Sequence, residues 1–172
     1  MATATSNTTL DATLFSKTII KAWTLQITRI NEFLASTSDD VLQRETASGR
    51  NTGVYLLGHL IATNDGIFPL LAFGEKLYPE LAKVFITSPD KSGQQFPPID
   101  TLKKYWNDVN NKLTSHLVSL EPEEWLGRHE AVTPEDFAKE PHRNKLNVII
   151  SRTTHMSYHL GQLIYLKEKE IE

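Results

Sequence analysis

The chain has 172 residues, 40% of them hydrophobic, and its 18 basic and 21 acidic residues leave a formal charge of -3; this length suits one domain with a sizeable core, and the charge balance implies no polyanionic partner. It contains no cysteine, which excludes disulfides, a thiolate nucleophile and every cysteine-containing metal site, so any thiol chemistry must bring its thiol from outside. No apolar run approaches membrane-spanning length and the opening MATATSNTTL lacks the basic and apolar regions of a secretion signal, so the chain reads as cytoplasmic with no membrane partner.

The Ser/Thr-rich residues 1–9 read as a flexible N-terminus, and residues 10–172 as one helical domain. From Asp11 to Ala35, Ile19, Trp23, Ile27, Ile30 and Leu34 recur every three or four residues and form one apolar stripe, which STSDD ends. A second periodic segment starts near Asn51 or Thr52 and runs to about Phe73, with Gly74 as its expected breaker and His59 on its inner face. Asp100 is placed to cap a third helix bearing Leu102, Trp106, Val109, Leu113 and Leu117, which stops before Pro122. The last helix is expected over Lys145 to Lys169, with Val148, His155, His159 and Leu166 close to one line along it. Four amphipathic segments without a strand pattern predict an all-α fold built as a single four-helix bundle. The connections Glu75 to Pro98 and Glu121 to His142 are long, and within them YPELAKVF, PEEWLG and TPEDFAKE read as short helical turns. Connections of this length favour crossovers over a simple up-down topology.

Residues four apart on a helix differ by about 40° around its axis and about 6 Å along it, so His155 and His159 can aim at one ion. His59 would approach from an opposing helix. Three neutral imidazoles suit zinc, nickel or iron better than magnesium or calcium. The spacing is equally open to another reading, because an HxxxH pair arises by chance and an inward histidine can be a satisfied polar core residue.

The surrounding residues carry paired readings too. Thr63, one turn beyond His59, either supports the site or bonds its own backbone, and Gly66 either leaves room or allows close packing. Gln162 reads as an orienting polar group rather than a ligand. Arg152, three residues before His155, either binds a carboxylate-bearing ligand or pairs with an acid in the bundle. Asp108 would orient a histidine or solvent from across the bundle, whereas Asp65 lies about 120° around the helix from His59 and is poorly placed to coordinate. His116, His129 and His142 read as exposed, Trp23 and Trp106 as core, and Trp125 as docking its loop or lining an entrance. The basic group HRNK at His142 to Lys145 is too brief for a nucleic-acid platform.

HMSYHLGQL, following a polar helix start, resembles the closing HxxxHxGQ pattern of the DinB/YfiT-like superfamily of four-helix, usually metal-binding proteins. GRNTGVYLLGHLIATNDGIF resembles the segment that ends in that family's first GH or xH motif. The resemblance runs from about Leu10 to Leu166, sharp at these two motifs and elsewhere a matter of layout. It implies a DinB-like four-helix bundle with long crossover connections. It also implies one divalent transition metal on His59, His155 and His159, zinc or nickel preferred and iron the alternative. Members with known activities include S-transferases that use low-molecular-weight thiols and thiol-dependent isomerases, while others are called metal-dependent hydrolases. The expectations are therefore a metal-dependent transferase taking an external low-molecular-weight thiol as cosubstrate, a metal-dependent hydrolase, or a non-catalytic metal-binding or protein-interaction bundle. A small-molecule ligand and a homodimer follow from the same resemblance; a nucleic-acid partner does not.

Overall fold

The computed structural model describes the backbone of residues 4–167 and the side chains of residues 13–167. Its helices are α1 (Ala4–Ala35), α2 (Asp39–Leu42), α3 (Gly53–Asp65), α4 (Ile67–Leu70), α5 (Leu81–Phe85), α6 (Ile99–Ser119), α7 (Pro134–Lys139) and α8 (Lys145–Leu163). Short 3-10 turns occupy Pro122–Leu126 and Ile164–Leu166. Among the described residues the fold is all-α with no β-sheet, and no helix is long and apolar enough to cross a membrane. The expectation of a single four-helix bundle is corrected in part: α1, α3, α6 and α8 are the four long helices, and shorter helical pieces fill the connections, among them the turns expected in YPELAKVF, PEEWLG and TPEDFAKE.

Several boundaries also differ from those expected. Helix α1 begins at Ala4 rather than Asp11, and so includes part of the segment read as a flexible N-terminus; residues 1–3 lie outside the described residues. The second segment breaks at Gly66 into α3 and α4, because Pro69 has no N–H to offer the Asp65 carbonyl and its ring crowds that position. Its terminator is Ala72, not Gly74. Ala72 adopts φ 60°, and the amides of Phe73 and Ala72 donate back to the carbonyls of Phe68 and Pro69 at 2.8 and 3.4 Å. Asp100 does not cap α6; Pro98 occupies the capping position and Asp100 sits inside the first turn, where a carboxylate complements the helix dipole. Helix α8 starts at Lys145 as expected, capped by Asn144, but its α-helical run stops at Leu163, and the expected end at Lys169 lies outside the described residues.

The long helices pack in a closed cycle: α1 against α6 and α8, and α3 against α6 and α8. Consecutive helices α1 and α3 therefore do not form the principal neighbouring pair, so the chain crosses over the bundle between them. Two tryptophans lock α1 onto α6. Trp23 Nε1 donates to Thr114 Oγ1 at 3.1 Å and Trp106 Nε1 donates to Asn31 Oδ1 at 2.7 Å, and rising numbers on one helix meet falling numbers on the other, which makes the pair antiparallel. Both indoles are buried in the core, as their place in the apolar stripes requires. Trp125 is also buried, on a turn that packs against α1 and α8, so it docks its loop.

Polar groups fix the connections that surround α3. Thr52 caps α3 by accepting from the Tyr55 amide, and the Asp90 carboxylate accepts from the Thr52 amide and hydroxyl at 2.7 and 2.9 Å. The stretch after α5 is thereby tied to the start of α3. Asp65, fully buried, accepts from the amides of Leu77 and Tyr78 at 2.7 and 2.9 Å and holds the loop before α5. Helix α5 then lies against α3 over Gly58, where a Cβ would come within 2.3 Å of the Phe85 ring.

Candidate metal centre

His59 projects from α3, and His155 and His159 from successive turns of α8, the helix packed against it. Their ring nitrogens converge: His155 Nε2 lies 3.2 Å from His59 Nε2 and 3.0 Å from His159 Nε2. One ligand atom from each of the three falls within 4.8 Å of the others. Three imidazoles on a tetrahedral ion with metal–nitrogen bonds of about 2.0–2.1 Å would hold their nitrogens roughly 3.3–3.4 Å apart, so the cluster is close to the size an ion needs.

The outer nitrogens show which atoms carry hydrogen. His59 Nδ1 is 2.8 Å from the Phe85 carbonyl, which can only accept, so Nδ1 donates and Nε2 keeps its lone pair. His159 Nδ1 is 2.7 Å from Gln162 Oε1, while Gln162 Nε2 donates to the Tyr158 hydroxyl at 3.2 Å. That second bond orients the amide, so His159 also donates from Nδ1 and turns a lone pair inward. His155 Nε2 therefore faces two acceptors and has at most one hydrogen to give. Its Nδ1 is buried without a partner. A cation at the centre satisfies three inward lone pairs at once, which no arrangement of hydrogens does, and by this test the residues present fit a metal ion.

The electrostatics agree. Burial, then the neighbouring His159 and His59 and the Arg152 guanidinium, push the His155 imidazole down to about 4. Burial lowers His159 as well, against an opposing contribution from its hydrogen bond with Gln162. Both rings are neutral near pH 7, the form that ligates metal. The Tyr55 ring stacks on His59 at 6.4 Å and 13°, which restrains the imidazole from its other side.

The remaining candidate residues separate clearly. Gln162 lies beside the cluster, in hydrogen-bond contact with His159 and joined to no other histidine among the described residues. Thr63 bonds the backbone carbonyls of His59 and Leu60 at 2.9 and 3.1 Å, in keeping with its backbone reading. Asp108 sits with Tyr78 rather than with the histidines: it accepts from the Tyr78 hydroxyl at 2.8 Å, and it contributes with burial to pushing that phenol up to about 12. Arg152 is half-buried on the inner side of α8 and has no hydrogen-bond or ion-pair partner among the described residues. His116 is half-buried and stacks on Phe73 at 4.8 Å, and His129 is half-buried as well, so of the three histidines expected on the surface only His142 is exposed. None of these three joins the cluster.

Sequence reasoning missed the Phe85 carbonyl, since any residue would supply that atom and the side chain gives no signal. Gly58, immediately before His59, was the available hint, because its lack of a side chain is what admits α5. The family model of the DinB superfamily matches residues 22–163, a span that contains all three histidines. No curated protein matches the chain.

Proposed function

Because the chain belongs to the DinB superfamily, we propose that His59, His155 and His159 hold one divalent transition metal, zinc or nickel ahead of iron, and that the protein transfers an external low-molecular-weight thiol to an electrophilic small molecule. The observation that carries the metal assignment is the convergence of three imidazole nitrogens with two outer nitrogens already committed as donors. When bound, such an ion lowers the pKa of a thiol or water that takes its remaining position. The closed packing cycle of α1, α6, α3 and α8 supports reading the scaffold as a four-helix bundle with crossover connections.

The residues around the cluster favour a thiol over water as the nucleophile. Among the described residues no carboxylate joins the histidines, and Asp65 and Asp108 are engaged elsewhere. Hydrolysis of a stable bond also calls for a group to shuttle protons between water and leaving group, and no carboxylate stands there to do it; a thiol, with an ordinary pKa of about 8.5, gives up its proton without such a group. In the transfer the thiol proton leaves to solvent, sulfur forms a bond to the electrophilic carbon, and the displaced group departs with the electron pair of the bond that breaks. The protein's part is to hold three neutral imidazoles in register: the Phe85 carbonyl orients His59, and Gln162 orients His159.

Elemental analysis after purification under controlled metal should give about one ion per chain, the number that one three-histidine site holds. Alanine at any one of the three histidines should remove most of it, and folded variants that keep their metal would sink the assignment. With metal-loaded protein, product from a panel of electrophiles should appear only when a low-molecular-weight thiol is present. Product formed without thiol would point to hydrolysis, and none in either case to a binding role.

A further inference from the structure

We propose that Arg152 makes this site selective for a small molecule carrying a carboxylate or similar oxyanion as well as the group that reaches the metal. The inference rests on the metal reading above and adds the charge of the ligand to it. Arg152 precedes His155 by three residues on α8, a spacing that sets the two side chains side by side on one helix face. Burial works against the guanidinium itself.

A half-buried guanidinium is ordinarily matched by a carboxylate, because withdrawing that charge from water without compensation is costly. Here the match is missing. The ion pairs among the described residues join Lys91 to Glu45, Lys103 to Asp39, Arg128 to Glu130 and Arg143 to Glu140, and none involves Arg152. Of the acids on the long helices, Asp65 on α3 is occupied by two backbone amides and Asp108 on α6 by the Tyr78 hydroxyl, while Glu32 on α1 is exposed and forms no ion pair with Arg152. Three neutral imidazoles bring no negative charge either. With a divalent ion in place, the ion and the guanidinium leave an excess of positive charge on one face of α8, and an anionic ligand is the group that neutralises it. The flat fork of donors on arginine fits a carboxylate at two points, a geometry that a lysine in its place would not reproduce.

The test uses cobalt(II)-loaded full-length protein, whose visible absorption reports what enters the metal's coordination, and two small thiols that share the same mercaptoethyl arm: 3-mercaptopropionate, which ends it in a carboxylate, and 2-mercaptoethanol, which ends it in a hydroxyl. A charge-assisted pair of this kind should make 3-mercaptopropionate bind about tenfold more tightly or better. In Arg152→Met that advantage should vanish while 2-mercaptoethanol binds as before, the variant also serving as reference for any intrinsic difference between the two thiols. Arg152→Lys should keep only part of the advantage. Equal affinities in the wild type, a preference that survives in Arg152→Met, or a spectrum that responds to neither thiol would each overturn the proposal. If Arg152→Met fails to fold, Arg152→Lys takes its place as the reference, and an advantage undiminished there overturns the proposal. Failure to retain cobalt at all would instead remove the metal reading on which the proposal depends, so the two failures are distinguishable.

Discussion

His159 points a lone pair inward because Gln162 takes its other nitrogen, and that dependence can be measured. Replacing Gln162 with leucine removes the acceptor at 2.7 Å and should weaken metal binding by about 10- to 100-fold, read by competition with a chromogenic chelator. Tyr158→Phe should cost far less, since Tyr158 is exposed and only steadies the amide through a 3.2 Å bond. Equal losses in the two variants would make the tyrosine an unexpected part of the site. The same histidines set an acid limit on the metal-free protein. In the folded state His155 is held near 4 and His159 is also lowered, whereas in the unfolded chain both return to about 6.5. Below that pH the unfolded chain takes up protons that the folded one refuses, so the stability these groups allow is complete above pH 6.5 and is lost as pH falls toward 4. Urea unfolding in the presence of chelator should show a lower midpoint at pH 5 than at pH 7. The drop should be smaller in His155→Gln, and an equal drop would clear His155 of responsibility.

At the level of elements, the site depends on how closely α5 approaches α3. Phe85 brings its carbonyl to His59 only because Gly58 leaves its ring room, with an added Cβ falling 2.3 to 2.5 Å from three ring atoms. The ring is fully buried and has no open side to move into. Gly58→Ala should therefore push α5 outward, destabilise the fold by about 1–3 kcal/mol and weaken metal binding together. Urea unfolding and chelator competition on the same preparation check both halves. Lost stability with unchanged affinity would show that His59 keeps its orientation without α5. Glycine matters here through contact rather than backbone freedom, whereas at the end of α4 the position that a glycine would suit is filled by Ala72 at φ 60°.

For the whole molecule, a metal held between α3 and α8 joins two sides of the helical cycle, so the ion should behave as a structural brace as well as a reagent. A ligand that binds only the folded state stabilises it by about 2.7 kcal/mol when its free concentration is 100 times Kd. Zinc or nickel should accordingly raise Tm in calorimetry, and the rise should disappear in His59→Ala, His155→Ala and His159→Ala. A metal-induced shift that persists in all three would place the ion elsewhere.

The sequence by itself determined the four long helices and the burial of Trp23 and Trp106, because helical periodicity is a local property that repeats along the chain; HxxxH spacing offered His155 and His159 as a pair but left its meaning open, and the resemblance to a family motif is what added His59 to them. The sequence also placed the small helical turns at Pro122, Pro134 and Leu81, where proline and apolar spacing are local signals. Only the tertiary structure decided that α1 and α3 are not principal neighbours, that Asp108 serves Tyr78, that Arg152 forms no ion pair among the described residues, and that the Phe85 carbonyl orients His59. Each of these depends on which distant segments meet. Helix order around a bundle is set by connections whose path no periodic pattern encodes, and a backbone carbonyl offers the same atom whatever residue bears it.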